Sequence, residues 1–256
     1  MFETIDVRGA KIANVSFDEA LEIAKGYMAG FGRHTVFTPN AEIIQTCIDD
    51  KTGKLFEIMN SADMVIPDGA GVVLASKILR RPLKQKVGGY ELSRHLLGHL
   101  DETGGKLFLL GSRQETVELA AKNIKAQHGK ITLCFHNGYF NKEEGEENEA
   151  VLEKINAFSP DALFVCFGHP AQEKWIYANK ARIDAKLMIG LGGTIDIFGG
   201  AKKYAPKIFI KLHLEWLYYL LRSPSRIGRY MALPRFVLGT LFAKKGKNRG
   251  EKGRKI

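Results

Sequence analysis

The sequence predicts an α/β fold with a mostly parallel sheet and helices on both faces. Short β-rich apolar runs alternate with helical patterns along most of the chain, and repeated strand, helix, strand order is typical of a parallel sheet. Most of the helical patterns also begin with a recognisable start signal. Together these features indicate a Rossmann-like arrangement. The chain has 256 residues, 45% of them hydrophobic, which excludes disordered and fibrous classes.

The elements follow in order. Residues 4–15 predict a small hairpin around Arg8-Gly9. Ser16 and Glu19 have the spacing of a capping box, which predicts a helix that ends near Ala29. Ser112 and Glu115 predict a second capping box. The strands of the sheet are predicted at residues 34–38, 63–67, 106–110, 131–135, 161–167 and 186–191.

Positive charge is concentrated near the C-terminus. Residues 201–256 contain 15 basic and 2 acidic side chains, a net charge of +13, whereas residues 1–200 carry −3. We expect an α/β catalytic domain over 1–200, an amphipathic helical appendage over 201–243 and a disordered polybasic tail over 244–256. Such a terminal concentration of charge favours contact with an anionic surface or ligand.

A helix is predicted over residues 207–222, with Lys207, Lys211 and Arg222 in one sector and a wide apolar arc opposite. Two interpretations stay open, docking on the body of the protein and insertion at a membrane interface. The longest apolar stretches fall short of the ~20 residues that a spanning helix needs.

Cys47, Cys134 and Cys166 lie in or beside apolar runs, which predicts buried, reduced thiols in a reducing compartment. The sequence that follows Met1 has no secretory signature. We therefore expect a cytoplasmic protein.

Polar and glycine residues follow directly after the predicted strands. Because the carboxyl ends of parallel strands meet at one edge of the sheet, where such folds bind ligands, we expect these residues to lie together. Helices that start there offer free N–H groups to phosphate, which favours a nucleotide or sugar-nucleotide site. The candidates for that site are Gly69, Gly111, Ser112, Gly168, Pro170, Glu173, Gly192, Gly193, Thr194 and Asp196.

Several of these signals have a plainer alternative. Gly111-Ser112-Arg113 resembles half of a dinucleotide fingerprint, but the full G-x-G-x-x-G is missing, which favours a plain turn with a helix cap. Asp68 is either a helix cap or a base at the ligand edge. His95 and His99 have metal-pair spacing but no third ligand, so we expect no metal there. The absence of Asp-x-Asp implies that side-chain cations meet the phosphates.

Five motifs in order resemble one family. They are Thr38-Pro39-Asn40-Ala41-Glu42, Ile66-Pro67-Asp68-Gly69, the run Gly168 to Trp175, Gly192 to Asp196, and Leu214 to Tyr218 with the downstream Arg226 and Arg229. Over roughly residues 5 to 236, the chain resembles the WecG/TagA/CpsF glycosyltransferase family. The resemblance implies a metal-independent, inverting transferase without a cofactor, located at the cytoplasmic face of the bacterial membrane. The best-known branch of the family moves N-acetylmannosamine from UDP to N-acetylglucosamine on a polyprenyl diphosphate, a step toward wall teichoic acid.

The resemblance also implies roles for residues. The family's proposed base corresponds to Asp68, and its sugar-site residues correspond to Thr38, Asn40 and Gln172. The C-terminal arginines expected to meet the lipid diphosphate correspond to Arg226 and Arg229, with Arg222 as a further candidate. Lys86 is a candidate for the same role and begins the segment Lys86-Val87-Gly88-Gly89, where the family usually reads Arg-Val-Thr-Gly. Lys86 and Tyr204 stand where the family usually has arginine, and neither offers a bidentate fork to phosphate.

The expected partners are a UDP-sugar donor, the lipid-linked acceptor and an anionic membrane surface, and the sequence is compatible with a homo-oligomer. Other donors stay open, namely the uronic acid of N-acetylmannosamine, glucose and galactose, for capsule or surface polysaccharide. A non-catalytic nucleotide- or RNA-binding protein is the alternative from another class. It is disfavoured because aromatic residues are not interleaved with a basic face, so we expect no nucleic-acid partner.

Overall fold

A computed structural model describes residues 2–212, 214–222, 228 and 231–252. The chain begins with the predicted hairpin, in which β1 (Thr4–Val7) pairs with β2 (Ala10–Ala13) in antiparallel fashion. The turn needs left-handed backbone at both central residues, with φ values of 61° at Arg8 and 100° at Gly9. The hairpin prediction is confirmed.

The main sheet has six parallel strands in the order β4, β3, β8, β7, β5, β6. The prediction of a mostly parallel sheet is confirmed, and each predicted strand is present. The strands are β3 (His34–Phe37), β4 (Met64–Val65), β5 (Lys106–Gly111), β6 (Thr132–His136), β7 (Ala162–Cys166) and β8 (Leu187–Gly190).

Helices cover both faces because alternate strand residues enter two separate apolar cores, as Leu163 and Phe164 of β7 do. One core contains α1 (Phe17–Ala29), α5 (Gly89–Thr103), α6 (Gln114–Gln127) and α9 (Thr194–Phe198). The other contains α2 (Ala41–Asp49), α3 (Lys54–Asn60), α4 (Ala70–Ile78), α7 (Glu146–Phe158) and α8 (Ala171–Asn179).

One of the two predicted capping boxes is present. The Ser16 hydroxyl accepts from Glu19 N at 3.2 Å, and the Glu19 carboxylate accepts from Ser16 N at 2.7 Å. The second capping box is wrong, because Arg113 precedes α6 without a side-chain cap. Ser112 instead has a φ of 61° and donates its hydroxyl to Asp196. The turn is therefore held by a distant carboxylate.

The C-terminal region differs from the expected single helix over 207–222. The structure has two short helices, α10 (Lys207–Lys211) and α11 (Glu215–Arg222). A longer helix, α12 (Ala232–Lys252), follows. The helix is assigned as far as Lys252, and residues 253–256 lie outside the described residues. The disorder expected over 244–256 stays a prediction.

Helix α12 packs against the body through α2 and α4. Phe236 and Thr240 are fully buried in that contact. A Cβ at Gly71 would lie 2.7 Å from Leu233 Cδ1 and 2.9 Å from Ala41 Cβ. The tip of Leu233 could turn aside, but Ala41 Cβ is fixed to the backbone of α2, so glycine at position 71 allows α4 to approach α2 this closely. Among the described residues, no helix is both long and apolar enough to cross a bilayer.

The three cysteines are unpaired. Cys47 and Cys166 are buried, as expected, whereas Cys134 on the edge strand β6 is partly exposed, which corrects the expectation for that residue. The His95 ring packs edge-on against Phe17, with ring centroids 5.0 Å apart.

Candidate active site

The strand ends bring the predicted site residues to one edge of the sheet. Asp68 follows β4, Thr38 follows β3, and Gly168 follows β7. The connection from β5 leads outward to β6, whereas the connection from β7 leads in the opposite direction to β8. Such a reversal opens a crevice between neighbouring strands, and ligands of open α/β sheets bind there.

Asp68 is a partly buried carboxylate held by two backbone segments. Its own N–H donates to Pro39 O at 3.1 Å, and Gly89 N donates to Asp68 Oδ2 at 3.4 Å. Burial raises the pKa of Asp68 to about 6, although the Gly89 N–H and Lys86 act to lower it. Helix α4 is capped by Gly69, without a side-chain bond, so the cap interpretation of Asp68 is wrong. A carboxylate with this pKa is ionised at neutral pH and can accept a proton.

Thr38 and Asn40 lie beside Asp68 and also hold the backbone. The Thr38 hydroxyl donates to Gly190 O at 2.9 Å, which ties the ends of β3 and β8 together. Asn40 Oδ1 accepts from Ile43 N at 2.9 Å and caps α2. A Cβ at Gly89 would lie 3.1 Å from Thr38 Oγ1, so a larger residue at the start of α5 would press on the Thr38 side chain.

Gln172 lies across the end of β8. A Cβ on Gly190 would be 2.9 Å from Gln172 Nε2. The Gln172 side chain is buried, and both ends of its amide are used within the protein. Gln172 Nε2 donates to Glu173 Oε1 at 2.9 Å, and Gln172 Oε1 accepts from Gly192 N at 2.9 Å.

A second polar cluster lies at the ends of β5 and β8. The Ser112 hydroxyl donates to Asp196 Oδ1 at 2.6 Å, and Lys202 forms an ion pair with the same carboxylate. Three other site candidates are close to Ser112 or Asp196 in the sequence, namely Gly111, Gly193 and Thr194. The Thr194 hydroxyl is buried and donates to Leu191 O at 2.8 Å, so it holds the turn before α9.

The C-terminal segment packs close to Asp68. Glu215 of α11 forms an ion pair with Lys86, and both side chains are 18% exposed. The Glu215 carboxylate acts to raise the pKa of Asp68, in opposition to Lys86. Lys86, predicted to bind the lipid diphosphate, is thus paired with a carboxylate in this structure.

Two tyrosine side chains, those of Tyr204 and Tyr219, lie near Asp68. Burial raises the pKa of Tyr219 to about 12, and Asp68 acts in the same direction. Burial, Glu91 and Asp68 raise the pKa of Tyr204 well above its usual value, and the Tyr204 ring packs 4.1 Å from that of Tyr90. Both phenols therefore remain protonated and can donate hydrogen bonds.

Comparison with known proteins decides the family. The model of the glycosyl transferase WecG/TagA/CpsF family matches residues 5–250.

The chain belongs to this glycosyltransferase family.

Relatives from Staphylococcus aureus strains MW2, NCTC 8325 / PS 47 and MRSA252 are each 34% identical to it over 243 residues. The match covers 94% of this chain and 93% of each relative. All three are named N-acetylglucosaminyldiphosphoundecaprenol N-acetyl-beta-D-mannosaminyltransferase.

The structure of this glycosyltransferase brings Asp68, Thr38, Asn40 and Gln172 into one continuous region, and their catalytic roles stay predictions. Arg222 lies at the end of α11, where it donates to Tyr218 Oη at 3.0 Å. Arg226 and Arg229 lie outside the described residues. Within the part of the chain that the structure describes, no three His, Cys, Asp or Glu side chains are grouped to hold a metal ion.

The sequence did not identify three residues near the predicted base, nor one residue that follows β7. Glu215 lies in the quoted Leu214 to Tyr218 motif, but nothing in the sequence links it to Lys86, which is 129 residues away. Glu91 and Tyr219 gave no signal. His169 was noted only as part of a motif, and its spacing of four residues from Glu173 was the available signal.

Proposed function

We propose that this glycosyltransferase transfers N-acetylmannosamine from its UDP carrier to the 4-hydroxyl of N-acetylglucosamine on a polyprenyl diphosphate. The names of the relatives, at 34% identity over 94% of the chain, support this transferred sugar and this acceptor. The observation that carries the proposal is Asp68, a partly buried carboxylate at the ligand edge of the sheet. Such an acceptor lies in the linkage-unit step of wall teichoic acid synthesis.

The proposed reaction is a single in-line displacement. Asp68 removes the proton from the acceptor hydroxyl while that oxygen attacks the anomeric carbon, and UDP departs from the opposite face. The anomeric configuration is inverted. With a pKa of about 6, Asp68 is ionised at neutral pH and is a stronger base than an ordinary aspartate, which suits it to this role.

The charge on the leaving UDP would be met without a metal ion. The sequence has no Asp-x-Asp pair, and Lys202 lies beside the Ser112 and Asp196 cluster. Backbone N–H groups near Gly111 and Gly193 would add neutral donors. The diphosphate of the acceptor would be held by Lys86, Arg222, Arg226 and Arg229, which requires Lys86 to exchange Glu215 for phosphate.

Association with the inner face of the membrane is part of the proposal. Ile208, Leu212, Trp216 and Leu221 expose large apolar side chains, with exposed fractions between 39% and 66%. This segment belongs to the region that carries a net charge of +13. Apolar side chains next to cations favour the interface of an anionic membrane. The same segment also docks on the body of the protein, because Glu215 of α11 pairs with Lys86.

A donor panel tests the proposal. The full-length protein is incubated with a short-chain polyprenyl-diphosphate N-acetylglucosamine and the UDP derivatives of N-acetylmannosamine, its uronic acid, glucose and galactose, and the products are weighed. A product from N-acetylmannosamine alone supports the proposal, and a product from another sugar reassigns the donor. If no product forms, a gel shift with RNA at two salt concentrations tests the alternative of a binding protein.

A further inference from the structure

His169 and Glu173 form a nearly buried pair beside the ligand edge. His169 Nδ1 lies 3.1 Å from Glu173 Oε2, and the two side chains are 7% and 3% exposed. Because a carboxylate only accepts hydrogen bonds, Nδ1 must carry the proton. His169 precedes α8 by two residues, and Glu173 lies in its first turn, so the pair is fixed by one short stretch of backbone.

The pair determines the direction of the Gln172 amide. Glu173 Oε1 accepts from Gln172 Nε2, which leaves Gln172 Oε1 to accept from Gly192 N. Without Glu173 the amide could rotate by half a turn. That rotation would place its NH₂ group against the Gly192 N–H, two donors in contact. The hydrogen bonds therefore continue from His169 through Glu173 and Gln172 to the turn that starts α9.

Among the described residues, only one of the two ring nitrogens of His169 makes a hydrogen bond. His169 Nε2 is buried and has no hydrogen-bond partner in the part of the chain that the structure describes. An unpaired buried polar atom is unfavourable, and an apolar ring would fill the same space without that cost. All the hydrogen bonding of His169 is therefore directed at Glu173.

We propose that His169 is a positioning residue for the donor sugar nucleotide. It acts through Glu173 and Gln172 on Gly192 and the turn before α9, where the donor is expected to bind. This inference rests on the proposed function only for the identity of the donor. Because the turn would contact the donor before and during reaction alike, loss of its position should weaken donor binding more than it slows turnover.

Two substitutions separate this role from simple packing. His169→Ala removes the donor to Glu173, whereas His169→Asn keeps an amide N–H near the position of Nδ1. We expect His169→Ala to raise the KM for UDP-N-acetylmannosamine about tenfold, as for loss of a hydrogen bond to a charged group. The kcat and the KM for the acceptor should stay near their wild-type values. His169→Asn should restore the donor KM.

The matched control is His95→Ala, which removes an exposed histidine whose ring packs edge-on against Phe17, away from β7 and α8. It should leave the donor KM unchanged. The inference is overturned if His169→Ala leaves the donor KM unchanged, if His169→Asn fails to restore it, or if both substrates are affected equally.

Calorimetry with UDP and with UDP-N-acetylmannosamine keeps this test apart from the proposed function. If the wild type binds these probes but transfers no sugar, the proposed function fails. The inference then depends on whether His169→Ala binds them more weakly than both His169→Asn and the wild type. If the wild type binds neither probe, both proposals fail.

Discussion

Asp68→Asn should slow catalysis strongly and stabilise the folded protein at neutral pH. The substitution is nearly isosteric but cannot accept the acceptor's proton. We expect turnover to fall by about two orders of magnitude or more, as for loss of a general base. The effect on stability follows from the environment of Asp68, which disfavours its charged form.

The magnitude comes from the pKa of Asp68, which burial raises from 3.8 to about 6. One pKa unit corresponds to about 1.4 kcal/mol, so the ionised carboxylate costs the folded state at most about 3 kcal/mol. Asparagine is itself desolvated, and Lys86 loses an anionic neighbour. We therefore expect Asp68→Asn to raise the free energy of unfolding by about 1–3 kcal/mol at pH 7.5.

The pH dependence has a definite sign. Below pH 3.8 Asp68 is protonated in both the folded and the unfolded states, so the substitution gives no gain. Between pH 3.8 and about 6 the unfolded state ionises first, and the penalty on the folded state grows. The gain from Asp68→Asn should therefore increase through this window and be complete above pH 6.

Urea unfolding of the wild type and the variant at pH 4 and pH 7.5 measures this gain, and a transfer assay at saturating substrates measures turnover. Asp184→Asn is the control, since Asp184 is exposed and its substitution should change stability by less than about 0.5 kcal/mol. The reasoning is refuted if Asp68→Asn is less stable than the wild type at pH 7.5, or if it keeps more than about a third of the wild-type turnover.

Three further predictions concern the same site and the C-terminal segment. The pH profile of kcat/KM should fall below pH about 6. Lys86→Met should move this limb to higher pH because Lys86 lowers the pKa of Asp68, and Glu215→Gln should move it to lower pH because Glu215 raises that pKa. If neither substitution moves the limb, the ionisation of Asp68 does not control it. Transfer should survive treatment with EDTA and removal of free ions, and activity restored only by manganese or magnesium would reveal a metal requirement. Replacing the exposed Ile208 and Leu221 by serine in the full chain should reduce sedimentation with anionic liposomes at high salt, where charge attraction is screened. If the variant and the wild type sediment equally, Ile208 and Leu221 do not contribute to membrane binding.

Local patterns made the sheet predictable. Each strand is a short apolar run, and the capping box of Ser16 and Glu19 is formed by residues three positions apart. The polar residues after the strands could be placed together because parallel strands share one edge. That rule correctly brought Asp68, Thr38 and Gln172 into one region from separate parts of the chain.

Contacts between distant residues produced the errors. Ser112 has the spacing of a cap, but its hydroxyl is taken by Asp196, 84 residues away. The apolar pattern of 207–222 is continuous, yet the helix is interrupted before Glu215, which pairs with Lys86 of the body. The burial of His169 and the unpaired state of its Nε2 depend on packing that no local pattern reports.

The most direct test of the account is the structure of the product. Full-length protein, UDP-N-acetylmannosamine and a short-chain polyprenyl-diphosphate N-acetylglucosamine are incubated with EDTA, and the purified product is analysed by mass spectrometry and NMR. The account predicts one added N-acetylmannosamine, β-linked to the 4-hydroxyl, and formation of this product by Asp68→Asn at a rate lower by about two orders of magnitude or more. An α-linkage, a linkage to another hydroxyl of the acceptor N-acetylglucosamine, or undiminished product from Asp68→Asn would contradict it.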